Sequence, residues 1–130
     1  MLRRCAEFFE SQHFANVPHL WISSHMFAAL KEMLKHGALS NPDKARKTLT
    51  GAFDDIKHIS LYAPYCDAIV IANFMADLVS RRGVNLEQRY GVQVFSLSSW
   101  DKLLAWLDDL EEGMSAEHRR GVAAAYPENQ

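Results

Sequence analysis

The sequence predicts a helix-rich α/β domain with a small parallel sheet, and three observations carry that expectation. Two short apolar runs, DAIVIA at 67–72 and VQVFSL at 92–97, read as strands buried on both faces. Each is followed by a helical pattern, and the order strand, helix, strand, helix implies parallel strands joined by a crossover. Before residue 67 the apolar residues recur at helical spacing, so the first half reads as all helix.

Taken in order, Leu2, Ala6, Phe9 and His13 share one helical face, extended by Phe14, until Pro18 breaks the segment. Ser23 or Ser24 caps a second helix whose stripe is Met26, Phe27, Leu30, Met33 and Leu34, with Gly37 closing it at C′. Asn41-Pro42-Asp43 starts the next helix: Asn as cap, Pro at the first helical position, and an acid beside the positive end of the macrodipole. A break is expected near Thr50-Gly51, followed by a helix with Phe53, Ile56, Ile59 and Ala63 on one face and Pro64 after its end. After DAIVIA, Asn73 caps a brief helix carrying Phe74, Leu78 and Val79, which Gly83 terminates. After VQVFSL, Ser98 and Asp101 have capping-box spacing ahead of the clearest amphipathic helix, Trp100, Leu103, Leu104, Leu107 and Leu110, ended by Gly113. The domain is therefore expected to span 1–113, with 114–130 a weakly structured tail holding at most one turn of helix. Two strands make a marginal sheet, so the edge of DAIVIA calls for a helix, or a second copy of the chain, to cover it.

The 130 residues, 48% hydrophobic, suffice for one core. A net charge of -2 gives no global attraction to phosphate backbones or anionic lipid, so any nucleic-acid site has to be local. No apolar run approaches the ~18 residues of a membrane span, and Glu7 and Glu10 interrupt what would be a signal peptide's apolar region. Cys5 and Cys66 form no CxxC pair, which suits reduced thiols in a cytoplasmic protein. The six histidines show no HxxxH or HExxH spacing, and no G-x-S-x-G, G-x-G-x-x-G or Walker-type loop occurs. Basic residues cluster as Lys44, Arg46 and Lys47, as Arg81 and Arg82 with Arg89, and as Arg119 and Arg120, each of which reads more simply as a solvated face; the pair Arg81-Arg82, at the end of the helix that follows DAIVIA, is the candidate phosphate contact. The three tryptophans are read as packing residues rather than base-stacking ones.

The stretch GAFDDIKHISLYAPYCDAIVIANFMADLV, followed by YGVQVFSLSSWDKLLAWLDDL, resembles the C-terminal part of PIN-like domains from an uncharacterised bacterial family. The shared pattern runs through GAFDDI, PYCDA, an apolar strand, a helix, YG, FS and a closing helix. PIN domains are metal-dependent nucleases, commonly ribonucleases, so the resemblance implies Mg²⁺ or Mn²⁺ held by gathered carboxylates and RNA as substrate. It places Asp55 as the first candidate catalytic and metal-binding residue, with Asp67, Asn73 and Asp77 beside it. Asp54, adjacent to Asp55 on a helix, would point about 100° away. Asp67 opens its strand rather than closing it, and its simpler reading is turn chemistry. Asp77 follows Asn73 by one helical turn and reads equally as a solvated acid. Glu32 is the stand-in for the family's helical acid, though a surface carboxylate is the simpler reading.

This chain departs from the pattern in two places. Members of that family often carry Asp-Asn where it has Ala72-Asn73, and the short aspartate-bearing strand that opens a complete PIN domain is not read ahead of Leu2, an expectation that changes if the chain is one piece of a longer protein. The site is left short of negative charge. The expected function is therefore a non-catalytic, degenerate PIN-like domain that forms homo-oligomers or binds a partner; a Mg/Mn-dependent ribonuclease is the open alternative.

Overall fold

A computed structural model describes residues 2–37 and 40–127. The chain forms two compact units, Met1–Leu97 and Ser98–Gln130. The first holds α1 (Leu2–Phe9), α2 (Gln12–Ala15), α3 (Pro18–Lys35), α4 (Pro42–Tyr62), β1 (Ala68–Val70), α5 (Asn73–Ser80), α6 (Leu86–Tyr90) and β2 (Gln93–Phe95). The second holds α7 (Trp100–Glu112) and α8 (Ala116–Ala125). The helix-rich α/β character expected from the sequence is present: β1 and β2 pair in parallel, Ala68 against Gln93, Ile69 against Val94 and Val70 against Phe95. Among the described residues no helix is long and apolar enough to cross a membrane.

Several elements differ from the sequence expectation. The first helix is two, because Ser11 adopts an extended conformation and its Oγ donates to the Phe8 carbonyl at 2.6 Å, ending α1 with a side-chain bond in place of the next helical one. The chain folds back there, and Phe14 meets Phe8 and Phe9 edge-on with centroids 6.1 and 5.3 Å apart. Pro18 opens α3 instead of breaking a helix, since a missing N–H costs nothing in the first turn. Ser23 and Ser24 consequently lie inside α3, and their hydroxyls turn back to the His19 and Leu20 carbonyls. No break occurs at Thr50-Gly51; α4 runs unbroken for 21 residues from the Asn41 cap, whose Oδ1 accepts from the Asp43 amide at 3.0 Å. An isolated glycine weakens a helix by only about 1 kcal/mol, which tertiary packing offsets.

The core of the first unit lies where α3, α4 and α5 meet. Ile22, Met26, Leu30 and Met33 from α3 bury against Ala52, Ile56 and Ile59 of α4 and Met75, Leu78 and Val79 of α5. Phe27 and Phe53, assigned by periodicity to the inward stripes, are exposed instead, and their rings lie 5.7 Å apart. After α5 the chain passes through Arg81–Val84 to Asn85, whose left-handed backbone, φ 38°, lets its side chain accept from the Gln88 amide and start α6. No helix is expected here from the sequence. Gly91, φ 73°, ends it and delivers the chain into β2.

In the second unit, α8 occupies Ala116–Ala125, where weak apolar periodicity predicts at most one turn; residues 128–130 of the expected tail lie outside the described residues. Local chemistry explains the difference. Ser115 caps α8 by accepting from the His118 amide, and the alanine run has high intrinsic propensity. Ser115→Ala is expected to cost this helix about 1 kcal/mol. Amide exchange should therefore quicken roughly fivefold at 117–120 while protection in α3 and α4 stays unchanged.

Candidate functional site

The C-terminal end of β1 is where the resemblance places an acidic site. Here α4 brings Asp55, half-buried, to the rim of a depression of about 290 Å³ that also holds Ala72, Lys47 and Thr48. Asp54, one position earlier, is exposed, as the 100° step along a helix requires. The two positions that the resemblance pairs, Asp55 and residue 72, are thus neighbours on one surface. Only one of them carries a charge to hold metal, and Lys47 adds a positive charge to the same rim.

The other predicted acids are placed differently. Asp67 precedes β1 and accepts from the Gln93 amide through its backbone carbonyl at 2.8 Å. It lies five residues, or roughly 16 Å of extended chain, before Ala72 and so at the opposite end of the strand. Asn73 is the first residue of α5 and is exposed. Asp77, one turn on, pairs with Arg81 at 3.0 Å on the exposed side of that helix. Glu32 pairs with Lys35 at 3.1 Å, also on the surface. Among the described residues, no three His, Cys, Asp or Glu side chains gather so as to hold a metal ion.

The predicted phosphate contacts separate as well. Arg81 is engaged by Asp77, whereas Arg82 lines a depression of about 230 Å³ together with Trp21, Gly83, Asn85, Gln88 and Arg89. Arg89 is held from three sides: its guanidinium carbon sits 3.9 Å from the Trp21 ring centroid, Nη2 donates to the Ala15 carbonyl at 3.2 Å, and Nε meets the Tyr90 hydroxyl at 3.4 Å. Trp21 in turn stacks on His25 with centroids 3.9 Å apart. Trp21 is therefore a packing residue, as expected, but what it packs is a cation. Arg89 groups with Arg81-Arg82 in the sequence, but no spacing joins it to Trp21, 68 positions earlier.

A third arrangement is the pair His19 and Ser60. His19 Nδ1 lies 2.8 Å from Ser60 Oγ, and that hydroxyl also donates to the Lys57 carbonyl at 2.9 Å. Ser60 is fully buried, so its oxygen is out of a substrate's reach; the bond ties the start of α3 to the end of α4.

The sheet itself has two unlike edges. The Gln93 amide donates to Asp67 and the Ile71 amide to Phe95, so residues 67, 69 and 71 turn their backbone groups toward β2. The backbone groups of Ala68 and Val70 consequently point outward, and Val70 is 54% exposed. On the far side, the Val94 amide of β2 donates to Glu87 Oε1 at 3.1 Å. The β2 edge is closed by a side chain, whereas β1 has no such cover among the described residues.

Comparison with protein-family models, with curated proteins and with solved structures finds no match for this chain.

Proposed function

We propose that this chain is a degenerate PIN-like domain that works by association, with a second copy of itself or with a partner, instead of by catalysis. The observation that carries the reading is the asymmetry of the sheet: β2 is closed by Glu87, and β1 offers the unpaired N–H and C=O groups of Val70 and Ala68. A two-stranded parallel sheet with one bare edge is marginal alone, and an added strand supplies hydrogen bonds that the fold otherwise leaves to water. The exposed Phe27 and Phe53 pair is additional apolar surface of the kind that association covers. Ala72 supports the non-catalytic half of the reading, because beside Asp55 it removes the second carboxylate that a Mg²⁺ or Mn²⁺ site needs. The ribonuclease alternative asks Asp55, Asp67, Asn73 and Asp77 to converge, and it draws less support from acids spread over both ends of β1.

Val70→Pro tests association. The Val70 N–H points away from β2, so proline deletes a donor on the outer edge while leaving the inner ladder intact. Sedimentation velocity from micromolar to millimolar protein should show wild type self-associating, or retaining an added partner, and V70P monomeric with an unchanged far-ultraviolet spectrum. A wild-type chain that stays monomeric, and a partner retained equally by V70P, would remove the edge from the mechanism.

A further inference from the structure

We propose that the depression between the end of α5 and α6 binds a phosphomonoester dianion, with Arg82 and Arg89 as its two charge partners. The proposal goes beyond the association reading and does not depend on it, since β1 takes no part in this depression. Five features support it.

First, Arg82 and Arg89 line one small concavity, and no carboxylate lines it with them. Second, their donors are unspent. Arg82 makes no hydrogen bond or ion pair among the described residues, and Arg89 uses only Nε and Nη2, so Nη1 keeps both of its N–H groups. Third, Arg89 is already immobilised on Trp21 and the Ala15 carbonyl, so little side-chain entropy remains to be lost on binding. Fourth, neutral donors lie on the same wall. Asn85 Nδ2 donates to Gln88 Oε1 at 2.8 Å, while the side-chain Nε2 of Gln88 has no acceptor among the described residues, and the Gly83 backbone N–H has none either.

The fifth feature is size and charge. About 230 Å³ is below the ~300 Å³ at which pockets begin to enclose a whole organic ligand, but it accommodates a single oxyanion. Two guanidinium groups match a phosphomonoester, which carries close to two negative charges near neutral pH, better than a phosphodiester with one. The chain's net charge of -2 offers no general attraction, so the local pair has to supply the affinity.

Nuclear magnetic resonance titration with inorganic phosphate at constant ionic strength tests the site. The Gly83 amide and the Arg89 Nε–H signals should move together and saturate. Arg82→Gln should weaken binding about tenfold, in line with loss of one charge-assisted hydrogen bond, and R82K should retain more of it than R82Q. Folding is not at risk, because the Arg82 side chain holds nothing else. Adenosine 5′-monophosphate and adenosine separate the sources: the nucleotide binding more tightly than phosphate identifies a carried monoester, equal binding identifies free phosphate, and adenosine alone should not bind. Short oligouridines with and without a 5′-phosphate form the last comparison, the phosphorylated strand being expected to bind more tightly. Equal shifts with sodium chloride, undiminished binding by R82Q, or equal binding of both oligouridines would overturn the proposal.

Discussion

Ile56→Ala is expected to destabilise the first unit by about 2–5 kcal/mol, the range for truncating a buried isoleucine that cannot be replaced by collapse of its neighbours. Ile56 is fully buried, and α4 presents it to α3 at the principal helix contact of the fold. Domains of this size hold about 5–15 kcal/mol in reserve, so the loss is a large fraction of it. Urea unfolding reads it as a lower midpoint with an unchanged slope. Phe53→Ala, three residues earlier on the same helix, is the contrast. Phe53 is 52% exposed, and its truncation should stay within about 1 kcal/mol in the monomer. A cost for F53A that grows with protein concentration would mean that Phe53 is covered by association. A cost equal to that of I56A in dilute protein would mean that the two helices pack on another face.

That pair of residues also shows what sequence could and could not reveal about the fold. Ile56 and Phe53 both satisfy helical periodicity, and periodicity alone sent both inward. The face is decided by where α3 packs against α4, through contacts between residues far apart in the sequence that no local pattern records. Signals contained within a few residues were readable: the Asn41-Pro42-Asp43 start, Gly37 and Gly113 at helix ends, and two apolar runs that pair in parallel. Signals that rest on one competing hydrogen bond were not. Ser11 bonding to Phe8 splits the first helix, and Asn85 in a left-handed conformation creates α6; neither residue type is unusual enough to announce its role.

The candidate sites follow the same division. Ala72 was legible as a missing acid only on the expectation that the resemblance supplies, and the depression that it shares with Asp55 is compatible with that expectation. The engagement of Arg81 by Asp77 was also open to reading, since the two are four residues apart on one helix. Arg89 on Trp21, Glu87 on the Val94 amide and His19 on Ser60 all depend on tertiary placement, and in each the partner is chosen by the fold rather than by sequence spacing.

Ala72→Asp is expected to act twice, and the two effects can be separated. Residue 72 is the N-cap of α5, with φ -60° and ψ 147° and no side-chain cap bond. A carboxylate there can accept from a first-turn amide and faces the positive end of the helix, worth about 0.5–2 kcal/mol without any metal. The melting temperature should rise by roughly 4–8 °C per kcal/mol of that gain. The same carboxylate joins Asp55 on one depression, so A72D should gain a further, manganese-dependent increment that wild type lacks. At a hundredfold excess over the dissociation constant that increment is about 2.7 kcal/mol. Asp55→Asn in the A72D background should keep the first gain and lose the second, because it leaves the cap untouched and removes one metal oxygen. If A72D shows the capping gain and no manganese increment, Asp55 and position 72 do not converge on an ion, and the proposed PIN-like reading of this surface loses its geometric support. If the increment survives D55N, the metal is held elsewhere, and the role given to Asp55 goes with it.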